Sequence, residues 1–221
     1  RKSSKKGKVY QSWAELTFEF ICTCSKMTLQ LKLKYKGART YLQGGDIFNA
    51  LEVAMSANEA GYLSKLMFKR FARNQIAILM EEPADTFNLL GTALWKSALG
   101  EEIRLWLTKT DVAITESYPF DEDAILTYAR IEDKCILLPV ANAYSVIENI
   151  IALTKKLNYT LTPQVSGKWL FGQLDLKEKL PKRWESLCIN RTSCVANSFS
   201  RNRILIDSQH YGEIRFIGGE P

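Results

Sequence analysis

The sequence predicts an α+β protein in which a mainly antiparallel sheet, or pair of sheets, packs on one or two central helices. The first observation is a pair of neighbouring segments, 16–24 and 27–35, in which apolar residues occupy every second position. The second is a pair of segments, 46–56 and 146–157, in which apolar residues recur every three or four positions. A period of two is typical of a half-buried strand, and a period near 3.6 is typical of an amphipathic helix.

The two alternating segments predict a hairpin, because only a short polar break separates them. One face of the hairpin should pack on the core, and the other should meet solvent. The solvent face of the second strand carries Lys32, Lys34 and Lys36, and Arg39 follows. This row of cations has two interpretations. It is either a ligand-binding surface or a protection of an exposed strand against aggregation.

A glycine-rich loop, residues 37–45 (GARTYLQGG), leads into the first helix. Its spacing matches neither the dinucleotide-binding nor the Walker-type fingerprint, and the sequence predicts no cofactor. Asp46 is the expected N-cap of this helix, because a short acidic side chain can accept a hydrogen bond from the first turn. The helix should bury an apolar stripe formed by Phe48, Leu51, Ala54 and Met55.

Residues 62–73 are interpreted as a second helix. The apolar side chains are spaced like one helix face, and the opposite face is basic, with Lys65, Lys69, Arg70 and Arg73. Residues 84–99 are ambiguous, since the apolar positions suit a helix but a strand is possible for part of the segment. A long helix is expected from Pro139 to Leu157. Strands are predicted for 75–80, 102–107, 111–118, 124–131, 135–138, 168–176, 186–195, 198–206 and 212–217.

Residues 1–9 form a basic tail, and residues 10–221 are expected to form one α+β domain. The order of elements, strands then a helix then strands, occurs twice and suggests two intimately packed halves, 10–118 and 119–221. A double hot-dog arrangement has this order, and so do duplicated nucleic-acid binders. No repeat is visible at the level of individual residues.

The net charge of +6 is unevenly distributed. Residues 1–80 carry 14 Lys and Arg against 5 Asp and Glu, whereas residues 81–133 carry 4 against 12. Such segregation is typical of proteins that bind an anionic partner, or that form homo-oligomers through unlike-charged faces. If the partner is nucleic acid, the candidate contacts are Lys32, Lys34, Lys36, Arg39, Lys65, Lys69, Arg70, Arg73, Lys182 and Arg183, with Tyr41 and Trp184 as stacking rings.

Five cysteines and one histidine are present, without the spacing of a zinc site, so no metal is expected. Scattered cysteines favour reduced thiols in a soluble cytoplasmic or nuclear protein. No apolar run is long enough to cross a bilayer, and no membrane partner is expected. His210 could act as a general base with Asp207 or Tyr211, although a surface histidine in a polar turn is the simpler interpretation.

The leading functional hypothesis is a non-enzymatic module that binds nucleic acid through basic strand and helix faces. One alternative is an enzyme or carrier of acyl thioesters with a hot-dog-like core. Its chemistry would fall on a central helix, at Glu52 or Asn49 in the first half and at Glu148 or Asn142 in the second. Another alternative is a protein–protein adaptor.

Overall fold

The computed structural model describes residues 17–23 and 26–220 of the chain. Its helices are α1 (Gly44–Ser56), α2 (Glu122–Leu126) and α3 (Val146–Leu161). The strands up to residue 118 are β1 (Thr17–Thr23), β2 (Lys26–Lys32), β3 (Tyr35–Lys36), β4 (Gly61–Phe68), β5 (Asn74–Leu79), β6 (Leu89–Ser97), β7 (Glu102–Ala113) and β8 (Ser117–Tyr118). The later strands are β9 (Arg130–Glu132), β10 (Cys135–Leu138), β11 (Lys168–Leu176), β12 (Leu187–Val195), β13 (Phe199–Ile206) and β14 (Gln209–Gly219).

Twelve of the described strands form one sheet in the order β1-β2-β5-β7-β6-β4-β11-β14-β13-β12-β10-β9. The two halves of this sheet meet where β4 pairs antiparallel with β11, with Leu66 opposite Leu174. The remaining strands, β3 and β8, form a small parallel pair. The predicted α+β class with a mainly antiparallel sheet is therefore confirmed.

Helices α1 and α3 contact each other and the sheet, so the core lies between them and the strands. The predicted stripe of α1 is buried in full, at Phe48, Leu51, Ala54 and Met55. On α3 the buried apolar residues include Ile147, Ile150, Leu153 and Leu157, again three or four positions apart. Burial of these two faces places both helices at the centre of the molecule.

The start of α3 is fixed by a capping box rather than by a proline. Ser145 is the N-cap, and its hydroxyl accepts the backbone N–H of Glu148 at 3.2 Å. The Glu148 carboxylate accepts the backbone N–H of Ser145 in return, at 3.0 Å. The predicted start at Pro139 was wrong, because this reciprocal pair satisfies the first turn only from Val146 onward.

The predicted helix over 62–73 was also wrong, since residues 61–68 form strand β4. Leu63 and Leu66 are both buried although they are three positions apart. The pairing of β4 with β6 shifts register between Leu63 and Lys65, which indicates a β-bulge. A bulge inserts one extra residue into the strand, so two successive inward-facing side chains are three positions apart instead of two. This spacing also occurs on one face of a helix, which explains the wrong prediction.

Three further segments differ from prediction. Of the ambiguous residues 84–99, Leu89–Ser97 form strand β6, and β7 runs unbroken through residues 108–110, which separate the predicted strands 102–107 and 111–118. Part of the predicted strand 124–131 is the short helix α2, where the Asp121 side chain caps the backbone N–H groups of Asp123 and Ala124. The cap explains why a helical turn forms here instead of a strand.

Cys135 and Cys188 are joined by a disulfide between β10 and β12, with 6.6 Å between their Cα atoms. Cys194 is free. The expectation of reduced thiols is therefore wrong for the Cys135–Cys188 pair.

Candidate functional site

A cavity of about 700 Å³ lies between the first turn of α1, one face of α3, and strands β11 and β14. Aromatic rings supply much of its wall. Phe68 and Phe171 meet edge to face with 5.5 Å between ring centroids, and Tyr41 meets Phe71 in the same way at 5.0 Å. A partly open cavity of this size with a mainly apolar lining is typical of a small-molecule site.

Helix α3 presents a mixed face to the cavity. Its lining residues are Glu148, Ile151, Ala152, Lys155 and Tyr159, spaced three or four positions apart. Side chains at this spacing lie on one side of a helix. The cavity therefore runs along α3, with a carboxylate at the N-terminal end and a phenol at the other end.

The first turn of α1 forms the opposite wall, through Gln43, Gly44 and Gly45. A Cβ atom on Gly44 would lie 2.3 Å from the ring of Phe171, so only glycine allows this close approach. Gln43 is the N-cap, and its side chain makes no capping hydrogen bond. Within the described part of the chain, nothing accepts the N–H groups of Gly44 and Gly45. The helix thus directs uncapped donors and the positive end of its dipole at the cavity.

A buried charged cluster lies beside this helix terminus. The ammonium group of Lys36 donates to Asp46 Oδ1 at 2.9 Å and to Glu148 Oε1, and it is only 3% exposed. It also lies 4.1 Å from the centre of the Phe120 ring, a cation–π contact. Tyr118 donates its hydroxyl to the other oxygen of Asp46 at 2.8 Å. The cluster joins β3, α1 and α3.

Burial raises the pKa of Asp46 above its ordinary value, although the Lys36 ammonium opposes that shift. Burial and the neighbouring Asp46 also raise the pKa of Tyr118. Asp46 was predicted to be the N-cap of α1, and this was wrong. The helix begins two residues earlier, so Asp46 lies inside the first turn and turns its carboxylate to Lys36.

The rim of the cavity near α2 carries a second charged cluster. Glu122 Oε2 accepts from Arg39 at 2.7 Å and from Lys155 at 3.0 Å. All three side chains are between 23% and 32% exposed, so solvent reaches them. Two cations share one carboxylate here, which makes this wall electropositive.

The cations predicted to bind nucleic acid do not form one surface. Lys36 is buried, because β2 ends at Lys32 and the chain bends before β3. At the bend the side-chain amide of Gln75 bonds both backbone groups of Leu33, at 2.8 Å each, and takes the place of a strand partner. Others are matched by carboxylates: Lys34 by Glu116, Arg39 by Glu122, and Lys65 by Asp175.

The remaining candidate contacts are dispersed. Lys32, Arg73, Lys182 and Arg183 are exposed away from the cavity, whereas Lys69 and Arg70 line its rim. Trp184 is 8% exposed and packs in the core, so it offers no face for stacking. Tyr41 is part of the cavity wall.

The catalytic candidates lie outside the cavity, apart from Glu148. Asn49 donates to the Ser145 hydroxyl at 3.3 Å, and Glu52 accepts the backbone N–H of Leu63 at 2.6 Å. Burial raises the pKa of Glu52. Asn142 exchanges amide hydrogen bonds with Asn149. His210 lies at the start of β14, with Nδ1 3.0 Å from the Lys177 ammonium.

Sequence reasoning missed most of the cavity wall and of the charged cluster beside it. Phe120, Glu122 and Lys155 of the wall were not proposed as site residues, nor were Asp46 and Tyr118 of the cluster. The signal in the sequence is weak. Phe120 and Glu122 lie in the acidic stretch of residues 81–133. The place of Glu122 in the wall depends on its contact with Lys155, 33 positions later in the chain, and no local pattern predicts that pairing.

No protein-family model matches the sequence, and no curated protein matches it. Solved structures that share the fold include the following two. The pyran synthase domain from module nine of the sorangicin pathway is 10% identical, with 92% of this chain and 97% of that chain covered and a TM-score of 0.50. The bifunctional dehydratase-cyclase domain in ambruticin biosynthesis is 10% identical, with 93% of this chain and 95% of that chain covered and a TM-score of 0.50.

These comparisons correct the leading functional hypothesis. The two structural neighbours are a pyran synthase domain and a dehydratase-cyclase domain, and the fold shared with them is hot-dog-like, so the prediction of a nucleic-acid-binding module with a basic surface was wrong. The dispersed and paired cations also argue against a nucleic-acid-binding surface. The prediction of a nuclear location is therefore not supported. Among the helices of the described residues, none combines the length and the apolar character that crossing a bilayer requires.

Proposed function

We propose that this chain binds acyl thioesters, with the acyl group in the cavity between α1 and α3. The thioester carbonyl would accept hydrogen bonds from the backbone N–H groups of Gly44 and Gly45. The acyl chain would then lie along α3, against Ile151 and the rings of Phe68 and Phe171. The fold shared with dehydratase-type domains supports this choice of ligand class.

The observation that carries the proposal is an uncapped helix terminus at the wall of an apolar cavity. Two backbone donors without acceptors cost free energy when water is excluded, unless a ligand supplies an acceptor. A thioester offers a carbonyl oxygen next to a long apolar group, which matches both parts of the wall. The helix dipole adds a favourable interaction with the partial negative charge of that oxygen.

Lys36 of the charged cluster lines the cavity next to α1, and its ammonium group already binds the carboxylates of Asp46 and Glu148. The thioester carbonyl is therefore assigned to the helix N–H groups and not to this ammonium group. We propose no proton transfer by Glu148, because both of its oxygens are bonded. Lys36 binds Oε1, and the backbone N–H and hydroxyl of Ser145 bind Oε2 at 3.0 Å each.

Calorimetric titration with dodecanoyl-pantetheine tests the proposal. The wild-type chain should bind this thioester, and Ile151→Trp should weaken binding by at least about tenfold because the larger ring occupies the space of the chain. Val53→Trp is the matched control, since Val53 is on α1 but 47% exposed to solvent.

The control variant should bind like the wild type. A wild-type chain that shows no heat of binding and no protection against thermal unfolding by dodecanoyl-pantetheine contradicts the proposal. Equal affinity in Ile151→Trp and the wild type would place the ligand elsewhere.

A further inference from the structure

The phenol of Tyr159 lies at the end of the cavity away from α1. Its oxygen accepts the backbone N–H of Trp169 at 3.2 Å. The tyrosine proton is a separate donor, and among the described residues none accepts a hydrogen bond from it. Tyr159 is half-buried and lines the cavity, so this proton meets whatever fills the space.

An apolar chain would leave that proton without a partner. Filling the cavity displaces water, and a hydroxyl deprived of water loses free energy unless another acceptor replaces it. The indole N–H of Trp169 is buried and does not reach the space, so of these two donors only the Tyr159 hydroxyl meets a ligand there. A plain hydrocarbon at this end of the cavity would leave that hydroxyl proton unpaired.

The position of Tyr159 fixes where an acceptor on the ligand would lie. Glu148 and Tyr159 are on the same face of α3 and eleven residues apart, a rise of about 16 Å along the helix axis. A Cβ on Gly45 would lie 3.8 Å from Glu148 Cγ, so the Glu148 end adjoins the proposed carbonyl site. A polar atom near Tyr159 belongs to the distal part of an acyl chain, far from the thioester.

We infer that the cavity selects acyl chains that carry a hydroxyl or keto oxygen in their distal part, and that Tyr159 donates a hydrogen bond to that oxygen. This inference rests on the proposed function, because it assumes that the thioester lies at α1. Tyr159 is thus a specificity-determining residue rather than part of the carbonyl site.

The test compares two ligands on two proteins by calorimetric titration. The ligands are dodecanoyl-pantetheine and ω-hydroxydodecanoyl-pantetheine, and the proteins are the wild type and Tyr159→Phe. Loss of one net hydrogen bond should weaken binding of the ω-hydroxy ligand by about fivefold in Tyr159→Phe and leave dodecanoyl-pantetheine unchanged. The ratio of the two affinities is the readout, because a general loss of structure would weaken both ligands alike.

Two controls limit the interpretation. β-Hydroxydodecanoyl-pantetheine carries its oxygen near the thioester and should not respond to Tyr159→Phe. Tyr62→Phe removes a hydroxyl that bonds the backbone carbonyl of Lys177 at 2.7 Å, outside the cavity, and should leave the ratio unchanged.

The outcomes separate the two proposals. If dodecanoyl-pantetheine binds but the affinity ratio is the same in wild type and Tyr159→Phe, this inference is overturned and the proposed function stands. If no thioester binds to the wild type, both are overturned.

Discussion

The ammonium group of Lys36 binds the carboxylate of Glu148, which lies 112 positions later in the chain. The same ammonium binds Asp46 on α1, so one buried cation holds the two central helices together. Because its partners are inside the core, this contact differs from the exposed ion pairs of the sheet surface.

Replacement of this cation should be strongly destabilising. Lys36→Met leaves two carboxylates buried without their counter-charge, and loss of one partner of a buried pair typically lowers the free energy of unfolding by about 3–5 kcal/mol. Urea unfolding followed by circular dichroism measures the change. Lys34→Met is the matched control, because Lys34 pairs with Glu116 at the surface and should cost less than about 1 kcal/mol. Similar losses of unfolding free energy in both variants would show that the buried cluster does not stabilise the packing of α1 on α3.

The pH dependence of stability should reveal the buried carboxylate of Asp46. Burial raises its pKa in the folded state above 3.8, the ordinary value. At a pH between the ordinary pKa of Asp46 and its raised pKa in the folded state, the folded protein keeps a proton that the unfolded chain has lost. The free energy of unfolding therefore falls as pH rises through this window. Asp46→Asn should flatten that fall, as measured by urea midpoints between about pH 3 and about pH 7.

Asp207→Asn is the control with the opposite sign. Backbone N–H groups of Ser186 and Glu185 bond the Asp207 carboxylate and lower its pKa. Its contribution to stability is present above pH 3.8 and is lost as pH falls through the folded-state pKa. Asp207→Asn should therefore alter only the acidic side of the profile. An Asp46→Asn profile that parallels the wild type would contradict the raised pKa.

Local periodicity predicted the hairpin of β1 and β2 and the buried stripe of α1, because each depends only on residues close in sequence. It failed at β4, where a bulge gives Leu63 and Leu66 the spacing of a helix. It failed again at Lys36, whose alternation with Lys32 and Lys34 predicts an exposed side chain. The bend at Leu33 depends on the side chain of Gln75, 42 positions away, and no local pattern contains that information.

The candidate site was less predictable than the fold for the same reason. Glu148 was proposed as a residue of the second central helix, and the structure places it in the cavity wall. Its partners Lys36 and Ser145 could not be proposed with it, since one contact is set by the sheet and the other by the exact start of α3. The residue types at Gly44 and Gly45 show only that two glycines are paired. They do not show that the backbone N–H groups of these residues are uncapped.

The strand assignment of β4 gives a prediction at Gly91. A Cβ atom there would lie 2.1 Å from the carbonyl oxygen of Met67 on the paired strand. Gly91→Ala should force the strands apart and lower the free energy of unfolding by about 1–3 kcal/mol. In Gly219→Ala the nearest atom to the new Cβ is Leu170 Cδ1 at 3.8 Å, an ordinary contact, so this control should be close to neutral. Equal stability of the two variants in urea would be inconsistent with the pairing of β4 and β6.

The last prediction concerns which helix carboxylate lies at the ligand. Glu52 is on α1 but outside the cavity, and its side chain accepts the backbone N–H of Leu63 at 2.6 Å. Glutamine retains an acceptor oxygen for that hydrogen bond, so Glu52→Gln should fold normally. Its affinity for dodecanoyl-pantetheine should stay within about twofold of the wild type, in contrast to the loss in Ile151→Trp. Calorimetric titration of both variants under the same conditions makes the comparison. If Glu52→Gln lowers the affinity for dodecanoyl-pantetheine by about tenfold or more, the ligand binds at the Glu52 face of α1 and not at its Gly44 end. The assignment of the thioester to the cavity would then have to be abandoned.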